Sequence, residues 1–266
     1  MSSITTDQGI LHYEVFGRGK PVILLHGWLG SWGLWQETMS FFGQNGFRTY
    51  ALDFWGFGES DAHLDTYEVK DFVSLVGQFM DQLGIVSAPL VGHSMGGTVS
   101  LSVALRYPER VQKVVIIGSP IVGSSLALPL KLAGLRPIAW LLFTLFPLFR
   151  LGMRLFSPLI CGAPDFSDMM VRDLSRTNLE SFLRSIASLR RTDLRPEIHK
   201  IQSPVMGMFG DRDNIVNPRQ WNVLQKGNPA AQVVRYPKAG HFIMLDEPDH
   251  FRQTLKHFLE GTVENT

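Results

Sequence analysis

Short apolar runs alternate with longer amphipathic segments along this chain. Seven of the runs have the length and composition of buried strands, and they lie at 9–17, 22–26, 48–53, 88–93, 111–118, 204–210 and 231–236. Between them, apolar residues recur at helical spacing, most regularly over 67–83 and 249–260. Strands that alternate with helices form parallel sheets covered on both faces. We therefore predict an α/β fold with a mostly parallel, doubly wound sheet of about eight strands.

Composition narrows the class of protein. The chain has 266 residues, of which 45% are hydrophobic and 18% charged, as in a globular protein with a sizeable core. A net charge of +1 gives no reason to expect nucleic acid as a partner. The single cysteine, Cys161, excludes an intrachain disulfide and fits a reducing compartment. The first residues lack the regions of a secretory signal, so we expect a cytoplasmic location. A monomer or a homodimer is expected.

Residues 91–97 carry the clearest chemical signal, because they read Val-Gly-His-Ser-Met-Gly-Gly where a strand gives way to a helical pattern. The pentapeptide G-x-S-x-G places a serine on a tight turn between a strand and a helix. Gly92 and Gly96 suit this turn because a Cβ there would clash with neighbouring backbone. The helix N-terminus favours developing negative charge. Ser94 is thus the candidate nucleophile, and His93 is expected to support the turn rather than to react.

A serine hydroxyl needs a base to take its proton, and the base needs an acid to orient it. The strand at 204–210 runs into Asp211 and Asp213, and the strand at 231–236 is followed by His241. The order serine, acid, histidine is one of the known orders of a catalytic triad. No metal-ligand cluster or phosphate-binding glycine loop is visible, so we predict no metal and no cofactor. Histidines outside the motifs, such as His12, are interpreted as surface or packing residues.

Two further motifs complete a resemblance to the α/β-hydrolase family, over nearly the whole chain. His26-Gly27-Trp28 resembles the oxyanion loop of that family, and residues 53–60 resemble its D-x-x-G-x-G-x-S loop. The resemblance is to the esterase and lipase-like branch, and it selects Asp213 over Asp211 as the acid. It also implies that His26 holds its loop in place. The oxyanion hole is then predicted to consist of the backbone N–H groups of Trp28 and Met95.

The segment 121–192 interrupts the α/β rhythm, and we call it the cap segment. The resemblance places a helical cap here, after the sixth strand of a core formed by 1–120 and 193–266. No acidic residue occurs between Glu109 and Asp165, and the run 137–149 is too short for a membrane span. One interpretation is that cap helices pack on the core; the other is that their apolar surface meets a lipid interface or a long hydrophobic substrate. Peripheral membrane contact is therefore an alternative to a purely cytoplasmic location.

The predicted function is cleavage of a carboxylic ester with a hydrophobic acyl or alcohol part, through an acyl-enzyme. The candidates for the substrate pocket are Trp28, Trp55, Phe57, Phe143, Phe146 and Phe242. Since one fold serves several reactions, a lactonase or thioesterase stays open, and a ligand receptor ranks last. The main alternative is a carbon–carbon bond hydrolase of ring-cleavage diketones, whose acidic substrates need an arginine. The cap segment offers Arg136, Arg150, Arg154, Arg184, Arg190 and Arg191.

Overall fold

The computed structural model describes residues 2–61, 67–145, 148, 151–153, 155, 157 and 160–261. The predicted pocket residue Phe146 and the candidate arginines Arg150 and Arg154 lie outside them. Within the described residues the central element is an eight-stranded sheet with the order β1-β2-β4-β3-β5-β6-β7-β8. Its strands are β1 (Ser2–Thr6), β2 (Gly9–Gly17), β3 (Lys20–Leu25), β4 (Phe47–Leu52), β5 (Ala88–His93), β6 (Val111–Ile117), β7 (Val205–Gly210) and β8 (Gln232–Tyr236).

The sheet is antiparallel at one edge and parallel elsewhere. β1 pairs with β2, and β2 with β4, in antiparallel register. The six strands β3 to β8 pair with one another in parallel. The seven predicted strands correspond to β2 to β8, with bounds that differ by at most two residues. The predicted fold class is thereby confirmed, and β1 is the strand that the apolar pattern did not mark.

Helices cover both faces of the sheet, because successive side chains of a strand point to opposite sides. In β3, Val22 and Leu24 belong to one buried cluster, and Ile23 and Leu25 to the other. The helices of the core are α1 (Gln36–Gln44), α2 (Val69–Gln82), α3 (Met95–Arg106), α8 (Gln220–Gly227), α9 (Ile243–Asp246) and α10 (Pro248–Glu260). The two helices read most clearly from the sequence therefore correspond to α2 and α10.

The described part of the cap segment is helical. It contains α4 (Leu128–Ala133), α5 (Arg136–Thr144), α6 (Phe166–Ser175) and α7 (Leu179–Arg191), between β6 and β7. A bridge between Val122 and Asp193 joins its two ends. Ile186 and Leu189 of α7 belong to the same buried cluster as one face of the sheet. The cap segment is thus joined to the core through α7, and its treatment as a separate domain stays a prediction.

Candidate active site

Ser94 lies on the turn between β5 and α3, in a backbone conformation that few side chains adopt. Its φ is 51° and its ψ is −117°, and Leu29 is the other non-glycine residue with positive φ in the described chain. Such a conformation costs about 1–3 kcal/mol and persists where the surroundings enforce it. A Cβ on Gly92 would overlap the carbonyl of Gly96, and one on Gly96 would overlap the carbonyl of Leu25. Both glycines are therefore required by close approaches of backbone to backbone.

His241 and Asp213 form a buried pair. The Nδ1 of His241 lies 2.7 Å from the Oδ2 of Asp213, and the side chains are 4% and 3% exposed. The other oxygen of Asp213 accepts hydrogen bonds from the backbone N–H groups of Ile215 and Val216, each at 2.8 Å. Asp213 is therefore held so that one oxygen remains for the imidazole. Asp211 instead bonds through both oxygens to Arg235, at 2.9 Å each, which agrees with the choice of Asp213.

Ser94 and the His241–Asp213 pair both lie at the end of β6. The N–H of Ser94 donates to the carbonyl of Ile117 at 2.8 Å. A Cβ on the next residue, Gly118, would lie 3.2 Å from the Nδ1 of His241 and 3.4 Å from the Oδ2 of Asp213. These three side chains follow β5, β7 and β8, whose carboxyl ends share one edge of the sheet, where ligands of open α/β folds bind.

His93 connects the turn to the loop that carries His241. Its Nε2 lies 3.1 Å from the carbonyl oxygen of His241, and the two rings are 4.7 Å apart between centroids. Since a carbonyl can only accept, Nε2 carries the proton. Burial, followed by the charge of His241, lowers the pKa of His93 well below its ordinary value. A neutral His93 therefore fixes the position of His241 and is not suited to take a proton itself.

His26 is held equally firmly. Its Nδ1 lies 2.7 Å from the carbonyl of Gly27, and its Nε2 accepts the backbone N–H of Phe54 at 3.0 Å. Both ring nitrogens are thus occupied, and burial lowers the pKa of His26. A Cβ on Gly27 would lie 3.0 Å from the Cβ of Ser94. His26 therefore orients a loop whose glycine leaves room beside the nucleophilic candidate.

The two N–H groups predicted for the oxyanion hole are available. Met95 is the first residue of α3, directly after Ser94, and Trp28 follows Gly27. Among the described residues, neither backbone N–H donates to an acceptor. Unpaired N–H groups at such positions are the usual donors to a tetrahedral oxyanion.

Three of the predicted pocket residues, Trp28, Phe143 and Phe242, contact other aromatic rings. Phe242 lies beside His241, at 5.2 Å between ring centroids, and Trp28 packs on Phe182 of α7, at 4.5 Å. Phe143 of α5 contacts the same ring of Phe182, at 5.3 Å. A row of aromatic rings thus connects the loop 26–28 to the cap segment, and Phe143 takes part in the packing of its helices.

The prediction for Trp55 and Phe57 is wrong in this structure. Both side chains are fully buried in the core. Phe57 packs against His26 and Phe72, with ring centroids 5.7 and 6.3 Å apart. The loop 53–60 turns these rings inward, which leaves them no surface to offer a substrate.

Two buried carboxylates near the site have roles that the sequence did not predict: Asp53, which begins the D-x-x-G-x-G-x-S loop, and Asp173, which no motif marked. Asp53 accepts hydrogen bonds from the N–H of Trp32 at 2.6 Å and pairs with His12, whose Nδ1 lies 2.8 Å away. Asp173 of α6 accepts from the hydroxyl of Ser31 at 3.0 Å, and burial raises its pKa. Together they hold the loop after Trp28 from both sides, one from the core and one from the cap segment. No local pattern marks contacts between residues this distant along the chain.

None of the described candidate arginines lies at the site. All four are exposed, and each donates to a surface carboxylate or a backbone carbonyl. They are Arg136 and Arg184, which pair with Glu180, Arg191, which pairs with Glu68, and Arg190, which donates to the carbonyl of Lys131.

A groove of about 670 Å³ runs between the cap segment and the core, beside α6 and α9. Its apolar lining includes Phe166, Met169 and Met244, and Glu37 is among its acidic residues. The ring of Phe166 lies 4.6 Å from that of Phe242, the neighbour of His241. Phe166 of the groove thus contacts Phe242, which in turn lies beside His241, the candidate base.

Comparison with known proteins agrees with this fold. A family model described as alpha/beta hydrolase fold matches residues 20–248. A 2-hydroxy-6-oxo-6-phenylhexa-2,4-dienoate hydrolase of Burkholderia cepacia is 29% identical over 263 residues, covering 94% of this chain and 91% of the relative. A pimeloyl-[acyl-carrier protein] methyl ester esterase of Vibrio vulnificus is 27% identical over 257 residues, covering 93% and 97%.

The solved structure of an esterase from Exiguobacterium antarcticum superimposes with a TM-score of 0.84 at 21% identity, covering 97% of this chain and 99% of that one. The likeness at this identity concerns the fold. The family match and the relatives together support a hydrolase. Since the family model covers most of its length, the chain belongs to the alpha/beta hydrolase fold family.

Proposed function

We propose that this protein is a serine hydrolase that cleaves a carboxylic ester with a hydrophobic acyl or alcohol part, through an acyl-enzyme. The observation that carries the proposal is the arrangement around Gly118. A serine in a strained turn and a buried histidine–aspartate pair, with 2.7 Å between its polar atoms, lie at the same edge of the sheet. This is the set of groups that activates a serine hydroxyl.

In the proposed reaction, each of these groups acts once in the acylation of Ser94 and once in the hydrolysis of the acyl-enzyme. Ser94 Oγ attacks the ester carbonyl as its proton passes to Nε2 of His241, whose Nδ1–H stays bonded to Asp213. The oxyanion accepts hydrogen bonds from the backbone N–H groups of Met95 and Trp28. His241 then protonates the leaving alcohol, and water attacks the acyl-enzyme by the same route. No other group has to gain or lose a proton.

Carbon–carbon bond cleavage is the second candidate, because the Burkholderia cepacia relative is a dienoate hydrolase. A substrate of that type carries a carboxylate, and a buried carboxylate needs a cationic partner. The described candidate arginines are exposed and engaged elsewhere. The Vibrio vulnificus relative, by contrast, acts on a methyl ester. We therefore rank the ester first.

A substrate panel distinguishes the two reactions. We expect turnover of p-nitrophenyl esters, with kcat/KM rising about fourfold per added methylene until the pocket is full, as follows from about 0.8 kcal/mol per buried CH₂. The ring-cleavage diketone should turn over at least about a hundredfold less efficiently than the best ester. A higher kcat/KM for the diketone would reverse the ranking. A flat or falling series from acetate to octanoate would reject the hydrophobic pocket.

A further inference from the structure

The cap segment exposes much more apolar surface than the rest of the protein. Nine of its large hydrophobic side chains are at least 41% exposed, and we call them the outer patch: Leu128, Leu132, Leu135, Trp140, Leu141, Leu145, Leu148, Leu151 and Leu155. In the remainder of the described chain, three large hydrophobic side chains are exposed to this degree: Ile10, Phe16 and Val86. Single exposed hydrophobic residues are ordinary, but a concentrated set marks an interaction site.

Helix α5 is apolar on both of its sides. Ala139 and Phe143 pack inward against Phe182 of α7. On the opposite side, Trp140 and Leu141 are 58% and 49% exposed. A helix that is apolar all round is suited to a site where both sides are covered. The cap segment covers one side of α5, and the outer side has no partner within the described chain.

The charges beside the outer patch are mainly positive. No acidic residue occurs between Glu109 and Asp165. Lys131 lies on α4 and Arg136 on α5, and exposed Arg190 lies against α4 because it donates to the carbonyl of Lys131 at 3.1 Å. Glu180 is the acid that pairs with Arg136. A second copy of this patch would bring like charges together, whereas an anionic surface would match them.

We propose that the outer patch docks the protein on the surface of an anionic lipid bilayer. Trp140 and the leucines enter the boundary between headgroups and acyl chains, and the lysine and arginines meet anionic headgroups. Trp140 suits this boundary because its ring is apolar and its N–H is polar. No described helix is long and apolar enough to cross a membrane, so the docking is peripheral. The proposal does not depend on which bond the enzyme cleaves.

Vesicle co-sedimentation of the full chain tests this docking. We expect binding to phosphatidylcholine–phosphatidylserine vesicles at least about tenfold tighter than to phosphatidylcholine alone, and weaker binding as salt is raised. The double variant Trp140→Ser/Leu141→Ser should lose at least about tenfold in affinity, since two anchors are removed. Val86→Ser is the matched control, because Val86 is 82% exposed on the core, and it should bind like the unmodified protein.

A second measurement does not depend on a disruptive variant. Lipids brominated in the acyl chain should quench the tryptophan fluorescence of the unmodified protein, and Trp140→Phe should remove most of that quenching while binding persists. Failure to bind anionic vesicles, or binding that ignores salt and headgroup charge, overturns the proposal. A dimer in solution that the double variant dissociates would assign the patch to a second copy and overturn it as well.

Discussion

Replacing Asp213 by asparagine should abolish most activity while leaving the fold intact. The asparagine carbonyl can still accept the N–H groups of Ile215 and Val216, which hold Oδ1 at 2.8 Å. Its amide nitrogen would then face the Nδ1 of His241, where the carboxylate now lies at 2.7 Å. Because an amide nitrogen can only donate, Nδ1 must accept and the ring proton moves to Nε2. Nε2 then has no lone pair to take the serine proton.

The loss should be about 10⁴-fold in kcat, which corresponds to about 5.5 kcal/mol of transition-state stabilisation. The assay is hydrolysis of p-nitrophenyl hexanoate, with circular dichroism to check the fold of each variant. Asp211→Asn is the matched control, since it removes an ion pair between a 26% exposed carboxylate and a 50% exposed arginine. An exposed pair of this kind contributes about 0–1 kcal/mol to stability. Kcat should stay within about threefold of the unmodified enzyme.

If Asp211→Asn is the more damaging change, Asp213 is not the carboxylate that orients His241. If folded Asp213→Asn keeps kcat within about tenfold, Asp213 does not set the tautomer of His241, since a wrong tautomer cannot support that rate.

Other parts of the structure lead to three further expectations. Burial lowers the pKa of His12, but the hydrogen bond and charge of Asp53 outweigh it and raise the pKa overall. The His12–Asp53 pair therefore stabilises the fold fully below about pH 6.5, and this stabilisation is lost as the pH rises through the raised pKa of His12. In urea unfolding, His12→Gln should lower the free energy of unfolding more at pH 6 than at pH 9. An equal loss at both pH values would contradict the pairing. Gly27→Ala should lower kcat/KM at least about tenfold by crowding the nucleophilic candidate, whereas Gly162→Ala, with open space around it, should not; equal effects would contradict the argument. Burial raises the pKa of Cys161 to about 12, so Ellman's reagent at pH 8 should react only after unfolding, and rapid reaction of the native protein would contradict this.

The sequence predicted most of the sheet because buried parallel strands are short apolar runs between helical patterns. β3 to β8, which pair in parallel, were identified for this reason. β2 was also predicted, although it pairs in antiparallel register. β1 reads Ser-Ser-Ile-Thr-Thr and lies at the edge of the sheet. With one large apolar residue in five, it has no alternation to detect. Its pairing with β2 is a tertiary fact that local pattern does not contain.

The candidate site was predictable where it depends on motifs. Ser94, Asp213 and His241 each follow a strand, so the shared edge of the sheet brings them together. The orientation of side chains in the loop 53–60 was not predictable, and Trp55 and Phe57 point into the core instead of a pocket. Adjacency to a motif does not determine the side to which a ring turns.

Contacts between segments that lie far apart in the sequence could not be predicted from it either. Asp173 reaches Ser31 across 142 positions, and His93 donates to the His241 carbonyl across 148. A buried aspartate in a helix and a histidine before the nucleophile look unremarkable in isolation. Only the packing of the cap segment and of the loop after β8 gives each of them a partner.

Covalent capture of the acyl-enzyme tests whether Ser94 is the nucleophile. The protein is mixed with p-nitrophenyl hexanoate, quenched in acid within one turnover and digested, and the peptides are examined by mass spectrometry. We expect one hexanoyl group, on Ser94, and none on the Ser94→Ala variant. An adduct at another residue, an adduct that persists in Ser94→Ala, or ester turnover by Ser94→Ala at the unmodified rate would show that Ser94 is not the nucleophile.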